Sequence, residues 1–288
     1  MPQLSASLVS PPPSGTVAWQ IQIKYTGPDG STFTNNFPSA PRFLTANAVW
    51  SVNQEFPYLT VLGGNATILW SYNSGPTQQF QFKIVGVNPT PDQARAYLTS
   101  DLNSYTWFIQ QLTRSESDTY GYTQFNSNGL PAFGVPAGYG MMQIDTGKGN
   151  ATAPDIWNWQ QNVVDGKLQI VTKRDAPGNG AYAFWNRQVQ QWSDWNAANP
   201  TIPSAPPPDD PEGNCLFSAT GPYQINGPPY QAMRESFADA ILIKQYNGAA
   251  TNYIFLDTNQ RPPKWTLSPL NNQSPPFSYV SRVCSQTP

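Results

Sequence analysis

Residues Val17 to Tyr25 read Val-Ala-Trp-Gln-Ile-Gln-Ile-Lys-Tyr, so Val17, Trp19, Ile21, Ile23 and Tyr25 alternate with small or polar neighbours. A period of two places the first set on one face of a half-buried strand. Gly27-Pro28-Asp29-Gly30 predicts a turn, and Ser31 to Phe37 returns antiparallel as the second arm of a hairpin. The same alternation recurs at Ile68, Trp70 and Tyr72 and, after an Asn73-Ser74-Gly75-Pro76 break, at Phe80, Phe82 and Ile84. Short strands separated by Pro- and Gly-rich turns predict an immunoglobulin-like β-sandwich over residues 1–87.

At Asn88 the pattern changes period. Thr90-Pro91-Asp92-Gln93 combines an N-cap threonine, a proline at the first helical position and a glutamine completing a capping box. A second helix is predicted over Ser104 to Ser115, with Phe108, Leu112 and Glu116 four apart on one stripe. Thr152-Ala153-Pro154-Asp155 opens another, with Ile156, Trp159 and Val163 on its inner face. Tyr182, Trp185, Val189 and Trp192 mark a further helix that ends before the prolines starting at Pro200. Met233, Phe237, Ala240, Ile241 and Lys244 describe a last one, stopped at Gly248. The expected class is therefore multi-domain α+β: an all-β sandwich, then a mainly α domain over 88–288 carrying a Pro-rich insertion near 200–213.

With 288 residues, the chain is long enough for two cores. Only 11% of it is charged and its net charge is -2, which argues against a nucleic-acid partner, since phosphates demand clustered Lys and Arg. No apolar run approaches the ~18 residues of a membrane span. The chain has no histidine, which removes Ser-His-Asp and Cys-His catalysis and nearly all catalytic zinc sites. No metal or cofactor is expected. Glycoside cleavage needs only carboxylates and stays open. Cys215 and Cys284 would close a loop worth ~4 kcal/mol if oxidised to a disulfide; two buried thiols are the alternative.

The glutamates are Glu55, Glu116, Glu212 and Glu235. Glu55 lies in the β-region, Glu212 in the Pro-rich stretch, and Glu235 at a helix start, where a carboxylate complements the helix dipole. Glu116 shares its face with apolar residues at a helix end, so its carboxyl is expected to lean into a partly desolvated site, and desolvation raises a carboxyl pKa. By position alone an ordinary solvated helix-terminal glutamate fits as well. Trp107, Trp157 and Trp159 have the rings to stack on sugars, but their spacing fits core packing better.

Glu116-Ser117 is followed by Gly138-Tyr139-Gly140-Met141-Met142-Gln143-Ile144-Asp145 and later by Gln245-Tyr246-Asn247-Gly248. This order resembles soluble lytic transglycosylases and goose-type lysozymes, over roughly 88–257. There a catalytic Glu-Ser precedes a Gly-Leu-Met-Gln segment and a Tyr-Asn motif; here Met141 stands for the usual leucine, and the Tyr-Asn motif is shortened. The resemblance implies a lysozyme-like second domain that degrades peptidoglycan glycan strands. It makes Glu116 the general acid and gives substrate-binding roles to Ser117, Tyr139, Met142, Gln143, Tyr246 and Asn247. It also suggests that Asp145 positions water, although a capping loop aspartate is an equal reading. Two chemistries follow: a muramidase uses water, whereas a lytic transglycosylase uses the sugar's own 6-hydroxyl. A binding or delivery module without activity is the third reading. Action in the periplasm or cell wall is expected, with export by a non-classical route because Met1 to Pro13 lacks the pattern of a secretory signal. Expected partners are a secretion-apparatus or phage-tail component, met through the N-terminal domain, and an immunity protein.

Overall fold

The computed structural model describes residues 5–7, 14–38, 41–45, 49–51, 62–100, 108–117, 121–145, 151–207, 236–248, 254–267 and 279–286. The chain is mixed α and β. It divides into two units that interleave along the sequence: residues 1–90 with 122–163, and 91–121 with 164–288.

In the first unit, strands β1 (Ser5–Ser7), β2 (Ser14–Thr26), β3 (Thr32–Pro38), β4 (Arg42–Thr45), β5 (Val49–Ser51), β6 (Gly64–Tyr72) and β7 (Gln78–Ile84) are all antiparallel to their partners. Five of them form one sheet in the order β3-β2-β6-β7, with β4 also paired to β2, and β1 pairs with β5. The β2–β3 hairpin has the register the alternation predicts, Tyr25 opposite Phe33 and Ile21 opposite Phe37. Between β6 and β7, Asn73 and Ser74 both take positive φ, 46° and 56°, and Gly75 N–H donates to Tyr72 O at 2.8 Å. Two positive φ values make a type I′ turn, whose twist matches the strands it joins.

Of the expected sandwich, the described residues show one five-stranded sheet and the separate β1–β5 pair. Where a second large sheet would lie, Phe125, Tyr139, Ile156 and Trp157 join Ile21, Ile23, Tyr25, Ala66 and Ile68 in one core. Trp157 packs edge-on to Tyr25 at 5.1 Å, so this tryptophan belongs to the core. Asn88 ties the covering segment down: its Oδ1 accepts from the Gln124 and Phe125 amides at 2.8 and 2.7 Å, and its Nδ2 donates to Phe125 O at 2.7 Å. Against the expected boundary at residue 88, the first unit takes in 122–163 as well as the sheet.

That segment contains the short strands β8 (Phe133–Gly134), β9 (Gly138–Tyr139) and β10 (Ile144–Asp145). With α1 (Pro91–Leu98) and α2 (Ile109–Glu116) placed in the other unit, it also carries α3 (Ala153–Trp157). Thr152 N–H donates to Asp155 Oδ2 at 2.7 Å, the reciprocal half of a capping box. One helix was expected through Ile156 and Val163, but the chain breaks at Asn158, whose Oδ1 accepts from Gln160 N–H and so caps α4 (Trp159–Asp175).

The second unit holds α1, α2, most of α4, α5 (Ala181–Ala198), α6 (Ser236–Tyr246), α7 (Tyr279–Ser285) and the β11–β12 hairpin (Ile254–Asp257 with Lys264–Leu267). Helix α1 begins at the proline that the capping signal marks, and α5 ends before Pro200. Gly248 closes the turn after α6 at φ 78°. Helix α7 packs on α2 and on α6, and α6 packs on α5. Among the described residues no helix is long and apolar enough to cross a membrane.

Candidate active site

Helix α2 buries Phe108, Ile109 and Leu112 completely, and the four-residue spacing carries Glu116 onto the same stripe at the helix end. Helix α7 packs on α2 and supplies Tyr279, whose hydroxyl donates to Glu116 Oε1. Arg282, one turn further on, donates from Nε to Ser115 Oγ at 2.9 Å and lays its guanidinium 5.1 Å from the Tyr279 ring centroid. Burial holds the Glu116 carboxyl above the ordinary carboxylate range, against the opposing pull of the Tyr279 hydrogen bond and of the Arg282 charge. Desolvation therefore outweighs both stabilisers of the anion.

Tyr246, at the end of α6, completes the cluster. Burial first, and then the negative charge of Glu116, push its phenol well above the usual tyrosine range. The same two causes, in the same order, raise Tyr279. The structure thus gathers one protonation-prone carboxyl, two phenols and a guanidinium from three helices of one unit. Such a set can deliver a proton and donate hydrogen bonds beside it. Among the described residues no group of three or more Cys, Asp or Glu side chains is arranged to hold a metal ion.

The other anticipated residues fall into two groups. Ser117 caps α2 and turns its hydroxyl back onto Thr113 O at 2.7 Å, while Asn247 is exposed just after Tyr246. Tyr139, Met142, Gln143 and Asp145 lie in the sheet unit. Tyr139 and Met142 have no exposed surface, and Ser117 is buried as well. Their side chains pack inside the protein here. Tyr139 donates its hydroxyl to Asp29 Oδ1 at 2.6 Å, and Gly27 leaves the room: a Cβ there would come within 1.8 Å of the Tyr139 hydroxyl oxygen.

Gln143 is part-exposed and sits in the left-handed region at φ 50°, its Nε2 donating to Gly140 O at 2.8 Å. Its amide occupies space that side chains at Gly134 and Gly138 would fill. Asp145 is half-buried opposite Gly138 in the β9–β10 pair. Cys215 lies outside the described residues, as does any pairing it makes with Cys284; so do Trp107, Glu55, Glu212 and Glu235. Sequence reading missed Tyr279 and Arg282. The only signal was their spacing of three on a short amphipathic stretch, which says nothing about a helix 160 residues upstream.

Comparison with known proteins returns no matching family model, no matching curated protein and no matching solved structure.

Removing the Tyr279 hydroxyl gives a direct test of the cluster. That bond favours the ionised carboxyl, so Tyr279→Phe raises the Glu116 pKa further. In a cleavage assay that needs the protonated acid, the basic limb of the pH–rate profile moves to higher pH. Arg282→Gln moves it the same way by less. An unmoved limb in a folded Tyr279→Phe chain shows that this bond does not act on the acid.

Proposed function

We propose that the chain is a muramidase that cleaves the β-1,4 bond between N-acetylmuramic acid and N-acetylglucosamine in bacterial peptidoglycan, with Glu116 as general acid. The observation that carries this reading is the desolvated Glu116 carboxyl, kept protonation-prone beside the Tyr279 and Tyr246 phenols. Glycoside cleavage needs a proton on the leaving oxygen while the anomeric carbon gains positive character, and a carboxyl with a raised pKa holds that proton to higher pH than an ordinary glutamate does. The sequence motifs around Glu116, Gln143 and Tyr246 add the lysozyme-like resemblance. On this reading the chain acts in the periplasm or cell wall, its sheet unit docks on a secretion or phage-tail component, and an immunity protein would oppose it.

One observation favours a second chemistry. Among the described residues the groups acting on Glu116 are a phenol and a guanidinium, with no second carboxylate among them. A lytic transglycosylase needs none, because the 6-hydroxyl of the muramoyl residue attacks the anomeric carbon and leaves an anhydro end. Mass spectrometry of purified peptidoglycan digested by the chain separates the readings: reducing ends mark hydrolysis, anhydro ends mark transglycosylation, and no product marks a binding module. If Asp145 serves the attacking water, Asp145→Asn lowers the yield of reducing ends at least tenfold, a modest share of the roughly 10²- to 10⁴-fold available to acid–base catalysis. An unchanged product mixture removes Asp145 from the mechanism.

A further inference from the structure

The polar face of the sheet carries a feature with no part in the chemistry at Glu116. Strand pairing sets Lys24 opposite Asn65 and Asn65 opposite Lys83, so three adjacent strands present Lys, Asn and Lys in one lateral row. All three side chains are exposed. Neighbouring strands lie about 4.8 Å apart, which puts the two lysine backbones about 10 Å apart with the amide between them. The row lines a hollow of about 330 Å³, completed by Tyr25, Thr26, Gly64 and Leu130. Gly64 keeps one wall low: it has φ 115°, and a Cβ there would come within 2.6 Å of Lys24 O.

Two cations facing one hollow repel each other, and among the described residues no carboxylate pairs with either lysine. Asp29, on the turn beyond β2, is engaged with Tyr139 and with Ser31. Among the described residues of this unit the only other basic side chain is Arg42, so the charge of the unit is concentrated here. An oxyanion between the ammonium groups would relieve the repulsion and take charge-assisted hydrogen bonds from both, with the Asn65 amide and the Thr26 hydroxyl as neutral partners. Leu130 and Tyr25 give the hollow an apolar wall for the carbon skeleton bearing that group.

We propose that the hollow between Lys24 and Lys83 is an oxyanion-binding subsite that takes a carboxylate or phosphate group carried on a cell-wall polymer. The cell-wall source of the anion rests on the muramidase reading; the oxyanion chemistry does not. Two wall groups share that chemistry, the carboxylates of muramic acid and its peptides and the phosphodiesters of teichoic acids.

The experiment titrates the full chain at low salt with N-acetylmuramic acid, glycerol 3-phosphate and neutral N-acetylglucosamine, following the backbone amide resonances of Lys24, Asn65 and Lys83. Saturable shifts with one or both anions and none with the neutral sugar are expected, and the tighter anion identifies the wall component. Lys24→Gln with Lys83→Gln weakens binding about tenfold or more, the loss of two charge-assisted bonds. Lys264→Gln, in the other unit, leaves it unchanged. Both lysines are exposed, so the double variant keeps the wild-type circular dichroism spectrum. Glu116→Gln binds the anions like the wild type, which keeps failure of this subsite distinct from failure of the cleavage reading. An equal response to N-acetylglucosamine, absence of saturation with both anions, or wild-type affinity in the double variant overturns the proposal.

Discussion

On the proposed muramidase reading, Glu116→Gln is expected to lower the rate of peptidoglycan cleavage by about 10²- to 10⁴-fold, the usual contribution of a positioned general acid. The amide keeps the size and an oxygen that can still accept from Tyr279, but it has no proton to give to the leaving sugar oxygen. The same substitution has a second signature, because the folded carboxyl titrates above its ordinary value of 4.5. Below that value both the folded and unfolded chains hold the proton, and the wild type suffers no cost there. As pH rises through the folded pKa, the buried carboxyl must ionise, the folded state loses the proton it held more tightly, and stability falls. Glutamine has nothing to ionise. The melting temperature of Glu116→Gln therefore exceeds that of the wild type at neutral pH, and the gap closes below pH 4.5. Wild-type lysis by a folded variant removes Glu116 from the reaction; loss of lysis with lower stability at neutral pH contradicts the desolvated setting of its carboxyl.

The largest expected loss of stability lies in the sheet unit, at two buried amides. Gln124 Oε1 accepts from Met141 N–H at 2.9 Å, while its Nε2 donates to Asp155 O and Ile156 O at 3.0 and 2.9 Å. Asn162 Oδ1 accepts from Met142 N–H at 2.7 Å, and its Nδ2 donates to Tyr139 O and Asp155 O. Both residues are completely buried. Gln124→Leu roughly conserves volume but takes the side-chain partner from the Met141 N–H and the Ile156 carbonyl, while Asp155 O keeps Asn162; at about 1–3 kcal/mol each, about 2–6 kcal/mol in all is expected. That is a large share of a domain's usual ~5–15 kcal/mol.

Gly140→Ala attacks the same knot from the backbone. Gly140 has φ 74°, and a Cβ would lie 2.4 Å from the Gln124 amide and 2.7 Å from Asn162 Nδ2. Left-handed strain and forced displacement of two buried amides together cost about 3 kcal/mol. Urea unfolding checks both variants: the midpoint should drop with the slope unchanged. A loss below about 1 kcal/mol in Gln124→Leu shows that those backbone groups reach other partners.

Much of the local structure is legible in the residues themselves. The alternation from Val17 to Tyr25 sets which face of β2 is buried, since a slip of one residue would turn every apolar side chain to water. Asn73-Ser74-Gly75 forces the β6–β7 turn, Thr90-Pro91 starts α1, and the Phe108–Leu112–Glu116 stripe orients the acid. Each of these depends on neighbours within a few positions, where backbone sterics and side-chain period decide. The break at Asn158 was hidden because apolar spacing continues across it, and a single side-chain cap decides the matter.

What only the tertiary structure decides involves residues far apart in sequence. The assignment of 122–163 to the sheet rests on Asn88, on Gln124 and on the fit of Trp157 against Tyr25. No periodicity reports these, because each is a contact between distant parts of the chain. It also decides that Tyr139 and Met142 are core: the motif that contains them shows residue types, while their burial depends on what the rest of the chain lays over them. Tyr279 and Arg282 reach Glu116 because α7 packs on α2, and Lys24 and Lys83 share one row because strand pairing aligns them on either side of Asn65. The sequence on its own determines elements and faces and puts Glu116 on an apolar stripe. The environment that raises the pKa of that carboxyl is set by the groups that fold around it, since desolvation belongs to a position in space and not to a residue type.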